Sequence, residues 1–215
     1  MAKKTRHSHS LNFDLLAPVY DLAVWFIGLF FGGEGRLREA LIKEARPLKG
    51  MSVLELYSGT ATLSLMAAGD GGGATALDIS ANMLRVAGEK ARKEKVPLST
   101  VRGDSALLPF KGASFDRVFS SLGLHEVPAP RAVEAVTESF RVLKRGGRLV
   151  ILDFHRAAGL AGFLQSLLFL LVEGREARDW VDTDIQALLR RTGFKNFKRK
   201  FMLRGALQII TVEKV

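Results

Sequence analysis

The stretch Val53-Leu54-Glu55-Leu56-Tyr57-Ser58-Gly59-Thr60-Ala61 constrains the fold more than any other part of the chain. Val53, Leu54 and Leu56 make a short apolar run of the kind a parallel strand shows when both its faces are covered. Gly59 can turn sharply and lets a ligand approach the backbone closely. Ala61 to Ala68 are good helix formers, so the turn delivers a helix N-terminus with free amide N–H groups. Such a turn can hold the polar end of a cofactor. An ordinary strand–turn–helix without a ligand fits the same residues, because one glycine turn is a weak fingerprint.

From Met51 onward, strand and helix patterns alternate. Gly73 to Asp78 is a second short strand, and Ser80 to Lys95 a helix with Ser80 as N-cap and Pro97 just beyond its end. Leu98 to Arg102, Phe115 to Ser120 and Arg148 to Phe154 read as the third, fourth and fifth strands. Arg131 to Leu143 reads as a helix, and Lys144 to Gly147 as its C-cap turn with basic residues facing the helix dipole. Asp182 to Arg191 is a further helix closed by Thr192-Gly193. Phe194 to Leu203 and Ala206 to Glu213 read as a terminal antiparallel hairpin. This order predicts an α/β fold: a seven-stranded, mostly parallel sheet with right-handed crossovers and helices on both faces.

Two apolar segments stand outside that alternation. Leu11 to Phe31 contains LLAPVYDLAVWFIGLFF, interrupted by Pro18 and Asp21, and reads as two short helices forming an N-terminal helical lid. Core packing and contact with a membrane surface are the other readings. Ala157 to Val172 is apolar except for Gln165 and Ser166, and follows the fifth strand. Both fall short of the roughly 20 clean apolar residues of a spanning helix. Glu34 to Ala45 is an amphipathic helix leading to the first strand. The expected organisation is a disordered basic tail over 1–10 and one domain over 11–215. That domain divides into a lid (11–45), a cofactor-binding core (51–155), substrate-side helices (156–193) and the terminal hairpin (194–215).

The chain has no cysteine, which excludes disulfides, thiolate metal sites and cysteine nucleophiles. Its formal net charge of +10 suits an anionic partner, whether a membrane surface, an acidic substrate or nucleic acid, and also serves solubility. Met1 to Asn12 is polar and basic with no apolar core, so no signal peptide is expected. His7 and His9 lack further metal ligands in the tail, and no metal site is expected.

In an open parallel sheet, ligands bind beyond the carboxyl ends of the strands at the switch point. Glu55 lies in the first strand, Asp78 ends the second and Asp104 follows the third. A carboxylate at the end of the second strand can accept bonds from both hydroxyls of a ribose. Asp104, with Ser105 beside it, can accept from an adenine amino group. Singly, each acid also reads as a helix cap or turn residue. Their recurrence after three consecutive strands favours an adenosine-containing cofactor.

On these residues the chain resembles the class I S-adenosylmethionine-dependent methyltransferases, within the group of quinone-biosynthesis C-methyltransferases and phospholipid N-methyltransferases. VLELYSGTATLSL is similar to the cofactor loop, ALDIS to the ribose motif, and GDSALLPFKGASFDRVFSSLGLHEVP to the adenine loop and fourth strand. ESFRVLKRGGRLVI is similar to the family's helix and fifth strand, and APVYD to an N-terminal Tyr-Asp element that covers the cofactor. The likeness runs from Leu16 to Val215. It implies a Rossmann-like fold, S-adenosylmethionine as cofactor and S-adenosylhomocysteine as product. It assigns Tyr20, Glu55, Tyr57, Gly59, Asp78, Ile79, Met83, Asp104, Ser105 and Ser120 to the cofactor, with helix core as the equal alternative for Met83. The family loop usually carries glycine where Tyr57 and Ala61 stand here, so the expected pocket is reshaped by the bulk of Tyr57 or binds cofactor weakly.

The implied reaction is in-line attack by an acceptor on the sulfonium methyl, in which the protein aligns the partners and removes water. His125 is the candidate base and Tyr20 a second catalytic candidate, with a loop-fixing histidine as the structural alternative. Asp21 and His155 are further rim candidates. The apolar segments point to a small hydrophobic acceptor such as a quinone precursor, a lipid or an aromatic metabolite. A cytoplasmic protein with peripheral contact to an anionic membrane is expected. Against nucleic acid, Ser120-Ser121-Leu122-Gly123 lacks the Asn/Asp-Pro-Pro-aromatic pattern of amino-methylating enzymes, and there is no cysteine for attack on pyrimidines. A non-catalytic binding protein that keeps the fold is the third reading. Oligomeric state is not legible.

Overall fold

The computed structural model describes residues 34–168 and 174–215. The tail over 1–10, the short helices expected between Leu11 and Phe31, Tyr20, Asp21, and the 169–172 end of the second apolar segment lie outside the described residues.

The first described element is helix α1 (Glu34–Ala45), followed by strand β1 (Ser52–Leu56), α2 (Thr62–Gly69), β2 (Gly73–Asp78), α3 (Ala81–Glu94) and β3 (Leu98–Arg102). Then come β4 (Phe115–Ser121), a 3-10 turn (Leu124–Glu126), α4 (Ala129–Val142) and β5 (Leu143–Phe154). Helices α5 (Gly159–Leu168), α6 (Gly174–Val181) and α7 (Ile185–Thr192) precede β6 (Lys195–Met202), a 3-10 turn (Leu203–Gly205) and β7 (Leu207–Glu213). The strands form a seven-stranded sheet in the order β3-β2-β1-β4-β5-β7-β6. β1 to β5 are parallel, and β7 runs antiparallel to both β5 and β6.

The central strands are apolar on both faces because helices cover both faces, so alternate side chains enter two separate cores. Leu54, Leu56, Val118, Leu149 and Ile151 pack with α4, α7 and Trp180 of α6. Val53, Phe119, Val150 and Leu152 pack with Leu37, Leu41 and Ile42 of α1 and Leu63 and Ala67 of α2. The buried Arg117 guanidinium donates through Nε to the Ala45 carbonyl at 2.7 Å. It thereby caps the last turn of α1, whose final carbonyls have no partner within the helix.

One local expectation is corrected. Lys144 to Gly147 is not a C-cap turn: α4 ends at Val142 and the chain passes directly into extended backbone at Leu143. Leu143 pairs with Phe115, the register slips before Arg117 pairs with Arg148, and Gly146 N–H donates to the Lys214 carbonyl at 2.6 Å. Strand pairing on both sides overrides the local turn preference of two adjacent glycines. A Cβ at Gly147 would lie 2.8 Å from the Lys144 carbonyl oxygen, so this bend admits only glycine there.

Candidate cofactor site

Strand order reverses between β1 and β4: from β1 the chain winds outward through β2 and β3, then returns to lay β4 and β5 on the other side. The crevice between their carboxyl ends is the place such a sheet offers a ligand. Four loops, those following β1, β2, β3 and β4, supply its residues.

The loop after β1 alternates left-handed residues, with φ of 53° at Tyr57, 50° at Gly59 and 59° at Ala61. Only glycine takes this conformation without steric cost. The backbone therefore keeps a three-glycine shape at two positions where the residue is not glycine. The second strand holds the loop in place. Ser58 N–H donates to the Leu77 carbonyl at 3.1 Å, and Gly59 N–H to Asp78 Oδ2 at 2.8 Å. The other Asp78 oxygen accepts from Ser80 N–H at 2.9 Å, and Ser80 Oγ in turn caps α3 at Met83 N–H. Asp78 thus ties the first loop to the second.

Gly103 N–H donates to the Asp78 carbonyl at 3.0 Å, which sets Asp104 on the tip adjacent to Asp78. Asp104 Oδ1 accepts from Ala106 N–H at 2.9 Å, and Oδ2 forms an ion pair with Arg131 of α4. Ser105 is buried beside it. Ile79 is half exposed, and Met83 is buried on α3.

Glu55 is buried and turned toward the α1–α2 face. Its Oε2 accepts from Ser64 N–H at 2.8 Å and from Ser64 Oγ at 2.5 Å. The carboxylate thereby satisfies a free amide in the first turn of α2. Burial raises its pKa to about 7, against the lowering effects of Ser64 and Arg38.

The Tyr57 ring lies across the crevice and packs against Gly123. A Cβ at Gly123 would fall 2.4 Å from Tyr57 Cβ and Cγ. Burial holds the phenol well above its usual pKa; Ser105, Asp104, Asp153 and Arg131 are the polar groups around it. Tyr57 therefore joins the loop after β1 to the turn after β4. Among the described residues six buried side-chain polar atoms have no partner at hydrogen-bond distance and angle; three of them are Tyr57 Oη, Ser58 Oγ and Ser120 Oγ, with the Ser105 hydroxyl close enough to the phenol to oppose the rise in its pKa. A buried hydroxyl without a partner costs about 1–3 kcal/mol. Those of Ser58 and Ser120 at one crevice fit a polar ligand such as a nucleoside with an amino-acid tail. Ser58 escaped sequence reasoning because a serine inside a turn reads as an ordinary turn residue.

His125 is buried in the 3-10 turn, with Nδ1 2.6 Å from Oδ1 of the fully buried Asp153. Asp153 was missed as well. Its only signal was an acid inside the apolar run RLVILDF. His155 sits elsewhere: its Nδ1 meets the Gly205 carbonyl at 2.9 Å and its ring packs on Phe201.

The chain is 31% identical to the demethylmenaquinone methyltransferase of Beutenbergia cavernae over 99% of its own length and 93% of that protein's. It belongs to the class I S-adenosylmethionine-dependent methyltransferases. The family model described as a methyltransferase domain matches residues 53–147 of this methyltransferase, from β1 to the bend in β5. It is 40% identical to the ubiquinone/menaquinone biosynthesis C-methyltransferase UbiE of Rhizobium etli over 54% of the chain, a match spanning about half (47%) of that relative. Its fold is shared with a phosphoethanolamine N-methyltransferase of Haemonchus contortus solved with S-adenosyl-L-methionine. The TM-score there is 0.74 at 19% identity, covering 94% of this chain and 57% of that one. The cofactor of the family is S-adenosylmethionine, and the loop tips and unpaired hydroxyls described above are the groups of this methyltransferase suited to hold it.

Proposed function

We propose that this chain transfers the methyl group of S-adenosylmethionine to a small hydrophobic acceptor of the quinone-precursor class. The observation that carries the reading is the pair of buried hydroxyls without hydrogen-bond partners, Ser58 just after β1 and Ser120 near the end of β4, at the same sheet edge as the Tyr57 phenol, Asp78 and Asp104. The names of the relatives, a demethylmenaquinone methyltransferase and a methyltransferase of ubiquinone and menaquinone biosynthesis, support the acceptor class. Asp78 would take the ribose hydroxyls and Asp104 with Ser105 the adenine edge. Gly59 lets the backbone approach the ligand, and Tyr57 reshapes the methionine end. Bound there, the cofactor supplies an electrophilic methyl on a sulfonium. The protein's part is to align the acceptor in line with that methyl and to exclude water. His125 is the candidate for taking the acceptor's proton, and Tyr20 the second catalytic candidate.

Titration calorimetry with S-adenosylmethionine and S-adenosylhomocysteine tests the reading. Saturable binding of both is expected, weakened by Asp78→Ala. Absence of heat with either ligand would leave the second reading, a non-catalytic protein that retains the fold. The observation favouring that reading is the Tyr57 ring standing across the crevice.

The net charge of +10 supports docking on an anionic membrane from the cytoplasmic side, which would bring a hydrophobic acceptor within reach. Among the described residues no helix is long and apolar enough to cross a membrane. Co-sedimentation with phosphatidylglycerol vesicles at low salt, lost at high salt and absent with phosphatidylcholine vesicles, is the expected result. Equal recovery with both vesicle types would remove the membrane part.

A further inference from the structure

Asp153 ends a strand that is otherwise apolar, and its carboxylate is fully buried. It accepts three N–H groups: Leu124 N at 3.1 Å on Oδ2, and Phe154 N at 2.8 Å and His125 Nδ1 at 2.6 Å on Oδ1. Each oxygen already accepts from a backbone amide, which can only donate. The arrangement therefore suits a carboxylate, and the proton of the imidazole contact belongs on Nδ1. The ring is held in other directions too. Phe154 meets it edge-on with centroids 4.6 Å apart, and α6 packs against the turn that carries it. A cap on the turn at Leu124 would need no histidine. Burying an ionisable ring against the acid carries a desolvation cost, so stability alone does not account for the pair. The pair also borders the crevice, since Gly123, on which the Tyr57 ring packs, begins the 3-10 turn that carries His125.

We propose that Asp153 is a positioning residue that fixes His125 as the Nδ1–H tautomer, leaving Nε2 to take a proton from the acceptor. The acceptor is thereby narrowed to one whose methylated atom carries an acidic hydrogen, an activated carbon or a hydroxyl. This rests on the methyl-transfer reading above. In the step, the acceptor's hydrogen passes as a proton to His125 Nε2, and the pair it leaves forms the bond to the methyl carbon. The carbon–sulfur bond breaks with its pair remaining on sulfur. Asp153 stays a carboxylate and stabilises the imidazolium.

The test combines long-range 1H–15N spectra of the full chain, with His125 assigned through His125→Gln, and transfer of radiolabelled methyl from S-adenosylmethionine to 1,4-naphthohydroquinone. Expected are a protonated Nδ1 and a bare Nε2 in the wild type, and a mixed tautomer in Asp153→Asn. The kcat of that variant should fall about 10²–10⁴-fold, the scale of a lost general base, with KM for the cofactor changed less than threefold. An Nε2–H tautomer in the wild type, or a variant kcat within threefold of wild type, overturns the proposal. Transfer to a tertiary amine or thioether but not to the hydroquinone overturns the acceptor class. Should Asp153→Asn not fold, the wild-type tautomer decides alone. If calorimetry finds no cofactor binding to the wild type, the methyl-transfer reading fails, while the tautomer still judges the hold of Asp153 on His125.

Discussion

Gly123→Ala is expected to lower stability by about 3 kcal/mol, the upper part of the usual range for overpacking. The backbone at Gly123 has φ −125° and ψ −24°, which any residue can adopt, so the cost is steric alone. The new methyl would lie 2.4 Å from Tyr57 Cβ and Cγ and 2.6 Å from Cδ2. Turning the tyrosine side chain does not clear this contact, because its Cβ is one of the atoms hit. Tyr57 cannot retreat along the chain, since its left-handed backbone is pinned by the neighbouring Ser58 and Gly59 bonds to β2. For a chain of this size the loss corresponds to a fall in Tm of about 6–12 °C. Tyr57→Gly should rescue it. The double variant should be more stable than the two single changes predict by at least about 2 kcal/mol, as expected for residues in direct contact. A Gly123→Ala protein melting within two degrees of wild type would show that the ring does not rest on Gly123.

Glu55→Gln is expected to abolish most of a stability loss that the wild type shows between about pH 4.5 and 7. Burial raises the folded pKa of Glu55 from 4.5 to about 7. Across that window the folded protein holds a proton that the unfolded chain has released. Stability from this group is therefore greatest below about pH 4.5, declines as pH rises through the window, and levels off above it. The full difference is about 3 kcal/mol at pH 8, taking about 1.36 kcal/mol for each pH unit. Glutamine keeps an oxygen where Ser64 N–H donates but carries no charge to desolvate. Urea unfolding at pH 5.5 and 8.0 should show wild-type stability dropping and the variant nearly level, with the variant the more stable at pH 8.0. Parallel curves, or a variant weaker at both pH values, would mean that Glu55 is not buried as the Ser64 contacts imply.

Both predictions turn on contacts between separate elements, and the legibility of this molecule divides along that line. β1 and β2 were readable to within a residue, because a strand covered on both faces leaves a short apolar run between turn residues; β3, a largely exposed edge strand, was readable from the Pro97 and Gly103 that bound it. The glycine turn at Gly59 and the acids at Asp78 and Asp104 were readable as strand-tip features. Lys144 to Gly147 was misread, since strand partners rather than local preference decide its conformation.

What each acid does was beyond local pattern. Glu55 serves a serine on the next helix, Asp78 a glycine in the preceding loop, Asp104 an arginine on α4, and Asp153 a histidine on the neighbouring turn. The order of apolar runs, turns and helix formers by itself determined the layered sheet and the edge at which a ligand binds, because these follow from periodicity and backbone chemistry. Only the tertiary structure decided which hydroxyls lose their partners, that Tyr57 needs a glycine at 123, and that a histidine is gripped by a buried carboxylate. Those outcomes arise where separate strand tips meet, and no single segment carries their geometry.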